Sequence, residues 1–412
     1  MKLDCRFCGR PLTVSFCDLG TAPPSNAFRK KEELQSGETF LPLHAYVCNE
    51  CYLVQLPEYR RREDIFKEDY AYFSSFSETW LKHAESYAEY ASARFGLGAR
   101  SLVVEVASND GYLLRFFAAR GIRTLGIEPS ANVAEAARKL GIETLVNFFG
   151  KALAEQLASE GRQADLLVGN NVLAHVPDIN DFVAGAKRLL AQTGVVTMEF
   201  PHVLRLIEGN QFDTIYHEHF SYVSLLTARR IFEAHGLTIF DVEELPTHGG
   251  SLRIFARHST AVASSPVEER VSRLLAVERD FGIDRVATYA AFADQARQSK
   301  RKLLELLIGI KNSGKRIAAY GAAAKGNTLL NYCGIGGDFI DFVADRSPHK
   351  QGLFLPGSRI PVLHPDSVKE QRPDFLLILP WNLSEEIMGQ MSHVRSWGGK
   401  FIVPIPSAKV LD

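Results

Sequence analysis

Five of the six cysteines fall within the first 51 residues, and four of them pair as Cys5-x-x-Cys8 and Cys48-x-x-Cys51. A CxxC turn sets two thiolates on one side of a knuckle, and two knuckles make the tetrahedral sulfur cage that zinc prefers. In a reducing compartment such clustering argues for metal over disulfides. Four thiolates leave no open position for water, so the ion would be structural. Two redox CxxC pairs, or four unrelated reduced cysteines, are the alternatives. Cys17 and Cys333 have no matching partners and read as small apolar residues.

A second chemical locus is Val103-Val104-Glu105-Val106-Ala107-Ser108-Asn109-Asp110-Gly111. A strand ends, a tight turn follows, and a helix begins whose N-terminal amides and dipole face a ligand. Small residues such as Ala107 and Gly111 let the backbone approach closely. The turn is not GxGxxG, and no P-loop lysine follows. S-adenosylmethionine carries no phosphate, so such a turn suits it. The cofactor also needs an acid for its ribose, and Glu128 ends the second strand, 23 positions after Glu105. Asn147-Phe148-Phe149, after the third strand, offers amide and ring contacts to adenine, with a core role for a phenylalanine as the alternative. A Rossmann-like domain without its ligand is the bland reading of the whole.

Tyr216-His217-Glu218-His219 gathers two histidines and a carboxylate in four residues. On a strand both histidines would share one face, as in a metal pair, but no third ligand stands at useful spacing. His175 follows the fourth strand and is expected at the same cleft, as a second acid/base or ligand-binding group. Tyr320-Gly321-Ala-Ala-Ala-Lys325-Gly326-Asn327 is another strand end that opens a helix; amides there plus Lys325 suit a diphosphate. A nicotinamide cofactor at that turn would need an acid some twenty residues on, and Asp338, Asp341 and Asp345 are imprecise candidates.

The elements that must hold these groups are legible in outline. From about residue 101 strand–helix alternation sets in: strands 101–106, 123–127, 144–146, 165–168 and 195–199, with helices after 111 and over 132–140. Tyr72, Phe73, Phe76 and Trp80 fit one apolar helical face running into a longer helix near 83–95. Residues 266–312 read as long and helical. Strands 316–320, 339–344, 375–379 and 401–403, with a helix over 327–332, form a second, smaller block whose opening repeats the first, so an internal duplication is conceivable. The expected class is α/β, with a mostly parallel sheet in each block.

Several of these stretches together resemble the sugar C-methyltransferases that act on nucleotide-linked 4-keto-deoxyhexoses, such as the 3-C-methyltransferases of deoxysugar pathways. They are Tyr70-Ala-Tyr72-Phe-Ser-Ser75, Ser108-Asn-Asp-Gly111, Gly126-Ile-Glu128-Pro-Ser130, Asn170-Asn-Val-Leu-Ala-His175, Tyr216-His-Glu-His219, His248-Gly-Gly250 and Gly321-Ala-Ala-Ala-Lys325. The ordered set spans the whole chain; Ala107 stands where the family usually has Gly. The resemblance implies a class I S-adenosylmethionine methyltransferase domain (66–255) of Rossmann-like fold. A small zinc-binding module (1–65) precedes it, and a helical segment plus a smaller Rossmann-like domain (256–412) follows and helps bind the sugar nucleotide.

The resemblance also implies roles. His219 is the base that removes an α-proton, making an enolate that attacks the methyl sulfonium from C3 of the sugar. Glu218 and Tyr216 bind or orient the sugar, Tyr70 or Tyr72 reaches over from the N-terminal side, and His248 closes the pocket. Glu105, Ala107, Asn109, Gly111, Glu128, Pro129, Asn147, Phe148 and Asn170 line the cofactor site. Oxygen or nitrogen methylation needs no such base and is the alternative chemistry, as is a methyltransferase with a second ketoreductase activity.

Bulk properties exclude other classes. The 412 residues carry 47 basic and 48 acidic side chains, with no basic stripe for nucleic acid. There is no run of about eighteen apolar residues for a membrane span and no signal-peptide h-region after Met1. A cytoplasmic monomer is the expectation.

Overall fold

Leu102, Val103, Val104, Glu105 and Val106 are all buried, the pattern of a parallel strand covered on both faces. In the computed structural model, which describes residues 3–66, 72–264 and 266–412, this strand is an interior one of a seven-stranded sheet. The order across that sheet is Leu237–Leu245, Ser251–His258, Leu190–Pro201, Ala164–Asn170, Leu102–Val106, Arg123–Ile127 and Thr144–Leu145. The five strands from Leu102 to Pro201 run parallel, and Ser251–His258 lies antiparallel between its two neighbours. The chain order reverses between Leu102–Val106 and Ala164–Asn170, which puts the ligand crevice at their carboxyl ends.

A second sheet of six strands is ordered Val362–Leu363, Val343–Ala344, Ile317–Tyr320, Phe375–Ile378, Lys400–Val403 and Lys409–Leu411. Its reversal falls between Ile317–Tyr320 and Phe375–Ile378, so its crevice is at Gly321. Gly321 has φ +90°, and a Cβ there would meet the Pro380 ring at 2.4 Å; only glycine fits. A third sheet belongs to the N-terminal segment: Val14–Ala22, Leu41–Val47 and Val54–Gln55, extended by Ser221–Tyr222 from far along the chain.

Three sequence expectations change. Tyr72, Phe73, Phe76 and Trp80 do not share one helix. The long helix starts at Glu78, where Ser77 Oγ accepts from Trp80 N at 3.2 Å, and it ends at Gly96 with φ 61°. Serine prefers the cap because its oxygen satisfies an otherwise unpaired amide. Phe73 and Phe76 instead stack on His349 of the second α/β block. Residues 266–312 form three helices, Glu269–Phe281, Val286–Ala290 and Phe292–Asn312. The break falls at Gly282, whose φ of 99° terminates the first. Residues 216–219 form a turn rather than a strand, so His217 and His219 do not share a face.

Candidate active site and zinc centre

The four cysteine sulfurs lie within 4.8 Å of one another, with Cys5–Cys51 and Cys8–Cys48 at 3.5 Å each. Tetrahedral zinc with bonds of about 2.3 Å sets sulfurs about 3.8 Å apart, so the cage fits the ion. Gln55 supports it from outside: its Nε2 donates to Cys5 Sγ at 3.2 Å, and its Oε1 accepts from Arg6 N. No other group of three close His, Cys, Asp or Glu ligands occurs among the described residues. Cys17 and Cys333 are buried in apolar surroundings.

The cofactor loop is built by backbone conformation. Ala107, Asn109 and Gly111 all have positive φ, at 54°, 49° and 76°. Ala107 takes this left-handed geometry at some cost, which a glycine would not incur. Glu128 reaches under the loop: its Oε2 accepts from Asn109 N at 3.0 Å and its Oε1 from Ser130 N at 2.9 Å. Burial pushes the Glu128 carboxyl up to about 7 against those two amides. Buried Ser108 Oγ and Asp110 Oδ1 have no protein partner, as expected of a loop that awaits a polar ligand. Asn109 Oδ1 and Asp110 Oδ2 also accept from the backbone of Ser74 and Ser75, tying the segment after residue 71 to the loop.

Around this loop, Asn170 is buried and donates to the Tyr112 hydroxyl at 3.3 Å. Glu105 is fully buried beneath, which pushes its carboxyl well above the usual range. Asn147 is exposed and Pro129 half-buried. Phe148 is half-buried with the Arg62 guanidinium 4.5 Å from its ring. Phe149 packs in the core against Phe182, so of the two phenylalanines it is Phe149 that serves packing.

The catalytic candidates converge. His219 Nδ1 donates to the Thr214 carbonyl at 2.9 Å, which leaves Nε2 as the acceptor of the Tyr216 hydroxyl at 2.6 Å. The His175 ring lies 4.7 Å from that of His219. Burial, then the neighbouring His175, holds His219 well below the usual histidine range. Burial likewise lowers His175 to about 4. His248, at φ 55° before Gly249 and Gly250, accepts from Asn171 Nδ2 at 2.7 Å and is also lowered to about 4 by burial. His217 points elsewhere, donating to the Pro42 carbonyl. Glu218 is buried, with Oε1 accepting from Asn26 Nδ2. Tyr72 is 47% exposed at the rim, and Tyr70 lies outside the described residues.

The second crevice faces the first. Lys325 Nζ donates to Asn382 Oδ1 at 2.8 Å and sits 4.8 Å from the Trp381 ring; its charge is felt at His219 and His248. Trp381 Nε1 donates across to Asp213 Oδ2 at 2.7 Å, and burial pushes Asp213 up to about 6. Asp345 ends the second strand of this sheet, its Oδ2 accepting from Ala322 N at 2.7 Å and its Oδ1 from Ser347 N at 2.8 Å. It repeats the bonding of Glu128, so of the three imprecise acids Asp345 is the well-placed one. Sequence reasoning missed Asn26, Asn171, Asp213 and Trp381. Asp213, three residues before Tyr216, and Asn171, beside Asn170, had a signal in their neighbours; Asn26 and Trp381 approach only through tertiary folding.

A sheet of this order, with an acid under a left-handed loop, defines an S-adenosylmethionine-dependent methyltransferase, and the four-cysteine cage adds a structural zinc. Residues 80–242 match the family model "Methyltransferase domain", 246–406 the "C-methyltransferase C-terminal domain" and 5–66 the "Putative zinc binding domain". The C-methyltransferase NovU of Streptomyces niveus is 37% identical over 409 residues, 99% of this chain and 97% of that one. The chain belongs to that C-methyltransferase family, the one whose motifs its sequence resembles. A ubiquinone biosynthesis O-methyltransferase of Bartonella quintana (strain Toulouse) matches over only 95 residues at 24% identity, 23% of this chain and 38% of that one. A solved magnesium protoporphyrin IX methyltransferase from Synechocystis PCC 6803 aligns at TM-score 0.36 and 16% identity over 43% of this chain and 83% of that chain, too slight a likeness to argue from. No helix among the described residues is long and apolar enough to cross a membrane.

Glu128→Ala is expected to weaken S-adenosylmethionine binding about 30-fold, the worth of a hydrogen bond to a charged group. Because the ionised carboxylate is the better acceptor for ribose hydroxyls, wild-type binding should tighten as pH rises through about 7. Titration calorimetry checks both; a variant within threefold of wild type at pH 8 would remove Glu128 from the cofactor site.

Proposed function

We propose that the enzyme methylates C3 of a nucleotide-diphosphate-linked 4-keto-deoxyhexose through an enolate, with His219 as the base. The observation that carries the reading is the fixed tautomer of His219: Nδ1 is committed to Thr214, and Nε2 carries a lone pair into the cleft. S-adenosylmethionine, when bound over Ala107–Gly111 and Glu128, supplies an electrophilic methyl. His219 Nε2 takes the C3 proton, and the electron pair moves onto the C4 oxygen. The Tyr216 hydroxyl, displaced from Nε2, is then free to donate to a sugar oxygen. Burial keeps His219 neutral at physiological pH, so the Nε2 lone pair is available to accept a proton. His175 and His248 are the further polar walls, and Tyr72 borders the entrance.

In this reading Lys325 and the helix that starts at Ala324 hold the diphosphate. Lys325→Ala is expected to raise KM for the sugar nucleotide by tenfold or more while the cofactor Kd stays put. An unchanged sugar KM counts against that assignment.

The deciding assay is mass spectrometry of the product from S-adenosylmethionine and a thymidine-diphosphate 4-keto-6-deoxyhexose in deuterated water. One added methyl on carbon, with α-deuterium exchange by the enzyme, supports the reading; methylation on oxygen or nitrogen defeats it. A second, ketoreductase activity has one observation in its favour, Asp345 at the ribose-acid position of the C-terminal sheet. Fluorescence titration with reduced nicotinamide dinucleotides tests it, and absence of binding ends it.

A further inference from the structure

The segment that carries the cysteines also reaches the catalytic turn. After the strand Val14–Ala22, a loop opened by Pro23 and Pro24 crosses to the C-terminal block. There Arg29 exchanges two backbone hydrogen bonds with Phe354, at 2.9 and 2.8 Å. The Ser25 carbonyl accepts from Asn327 Nδ2 at 2.6 Å, and Glu38 Oε1 accepts from Gly357 N at 2.8 Å. Between these anchors, Asn26 Nδ2 donates to Glu218 Oε1 at 2.7 Å.

We propose that Asn26 is a positioning residue for methyl transfer, fixing the Glu218 carboxylate in the cleft beside His219. A glutamate side chain has three torsions to order, and a charge-assisted hydrogen bond from a pre-ordered partner helps to fix them at little further entropic cost. Asn26 is pre-ordered: two prolines precede its neighbour Ser25, Ala27 N closes a turn on the Pro24 carbonyl, and Ser25 is tied to Asn327. The same module holds the other side of the turn, where the Pro42 carbonyl accepts a hydrogen bond from His217 Nε2. The zinc-binding segment is thereby part of the active site's wall, not a remote stabiliser. This inference rests on the reading of Glu218 as a sugar-facing group.

Asn26→Ala and Asn26→Asp test it, the second keeping the shape while replacing the donor with a repelling oxygen. Both should retain one zinc per chain and the wild-type KM for S-adenosylmethionine. The kcat with the keto-sugar substrate should fall about 30-fold in the alanine variant and further in the aspartate one. In a Glu218→Ala background, Asn26→Ala should add less than threefold. Crystal structures should show the Glu218 carboxylate displaced in Asn26→Ala. A full additional loss in the Glu218→Ala background, or a carboxylate that stays in place, overturns the proposal. If the wild type fails to methylate the keto-sugar, the proposed function falls, while the Glu218 position in Asn26→Ala still decides the role of Asn26.

Discussion

His219→Ala is expected to slow methyl transfer by about 10³-fold and to abolish solvent deuterium exchange at the sugar α-carbon. General-base contributions run to about 10²–10⁴, and nothing beside His219 duplicates its geometry. His175 is its nearest imidazole, but its ring is hydrogen-bonded to the Glu218 backbone and has no tyrosine hydroxyl on it as Nε2 of His219 has. The pH profile carries the sign. Burial holds His219 well below the usual histidine range, so the neutral base is fully present across the neutral range. The acid limb of kcat/KM should therefore lie below the range in which an ordinary histidine titrates, not within it. Single-turnover mass spectrometry across pH 4.5–8.5 measures it. A variant within tenfold of wild type, still exchanging deuterium, would transfer the base role to another group.

Removing zinc should have the next largest effect. Cys48→Ser, or exhaustive chelation, is expected to unfold residues 3–60 and cut methyl transfer below a tenth of the wild-type rate. Structural zinc contributes on the order of 10 kcal/mol in small domains, far more than this short segment's own core supplies. Cys5, Cys48, Cys51 and Leu53 pack in one cluster with Leu102, Val104 and Phe200 of the central sheet, so the loss reaches the methyltransferase domain. Binding of S-adenosylmethionine should survive within a few-fold, because the hydrogen bonds that shape the loop at Asn109 and Glu128 run to Tyr72, Ser74 and Ser130, outside the module. Metal analysis, limited proteolysis and calorimetry on one sample separate these effects. A zinc-free protein with full turnover would reduce the cage to an ornament.

Much of this was legible in the chain because the information is local. The CxxC pairs, the strand-turn-helix at 103–114 and the acid at 128 are short-range patterns, and each landed where its spacing put it. The strand at 123–127 was placed to the residue. Misreadings arose where a short apolar pattern met a cap or turn. Ser77 broke the aromatic face, and Gly282 broke the long helix. Contacts between distant segments left no local trace: nothing near Asn26, Asp213 or Trp381 announces partners roughly 170 or more residues away. Asp345 was undervalued for a physical reason as well, since its strand is only Val343–Ala344 and a two-residue strand gives almost no period to count.

The four-stranded N-terminal sheet bears on how the protein is made. Its third strand, Val54–Gln55, finds its edge partner only at Ser221–Tyr222. At about 5–20 residues per second, the ribosome leaves that edge uncovered for roughly 10–30 s after the cysteine knuckles have emerged. An uncovered strand edge is a template for pairing with another chain. Early metal capture would hold the knuckles shut during that interval but cannot protect the edge. Expression yield should thus depend on how fast residues 56–222 are translated and on chaperones that shield nascent β-edges.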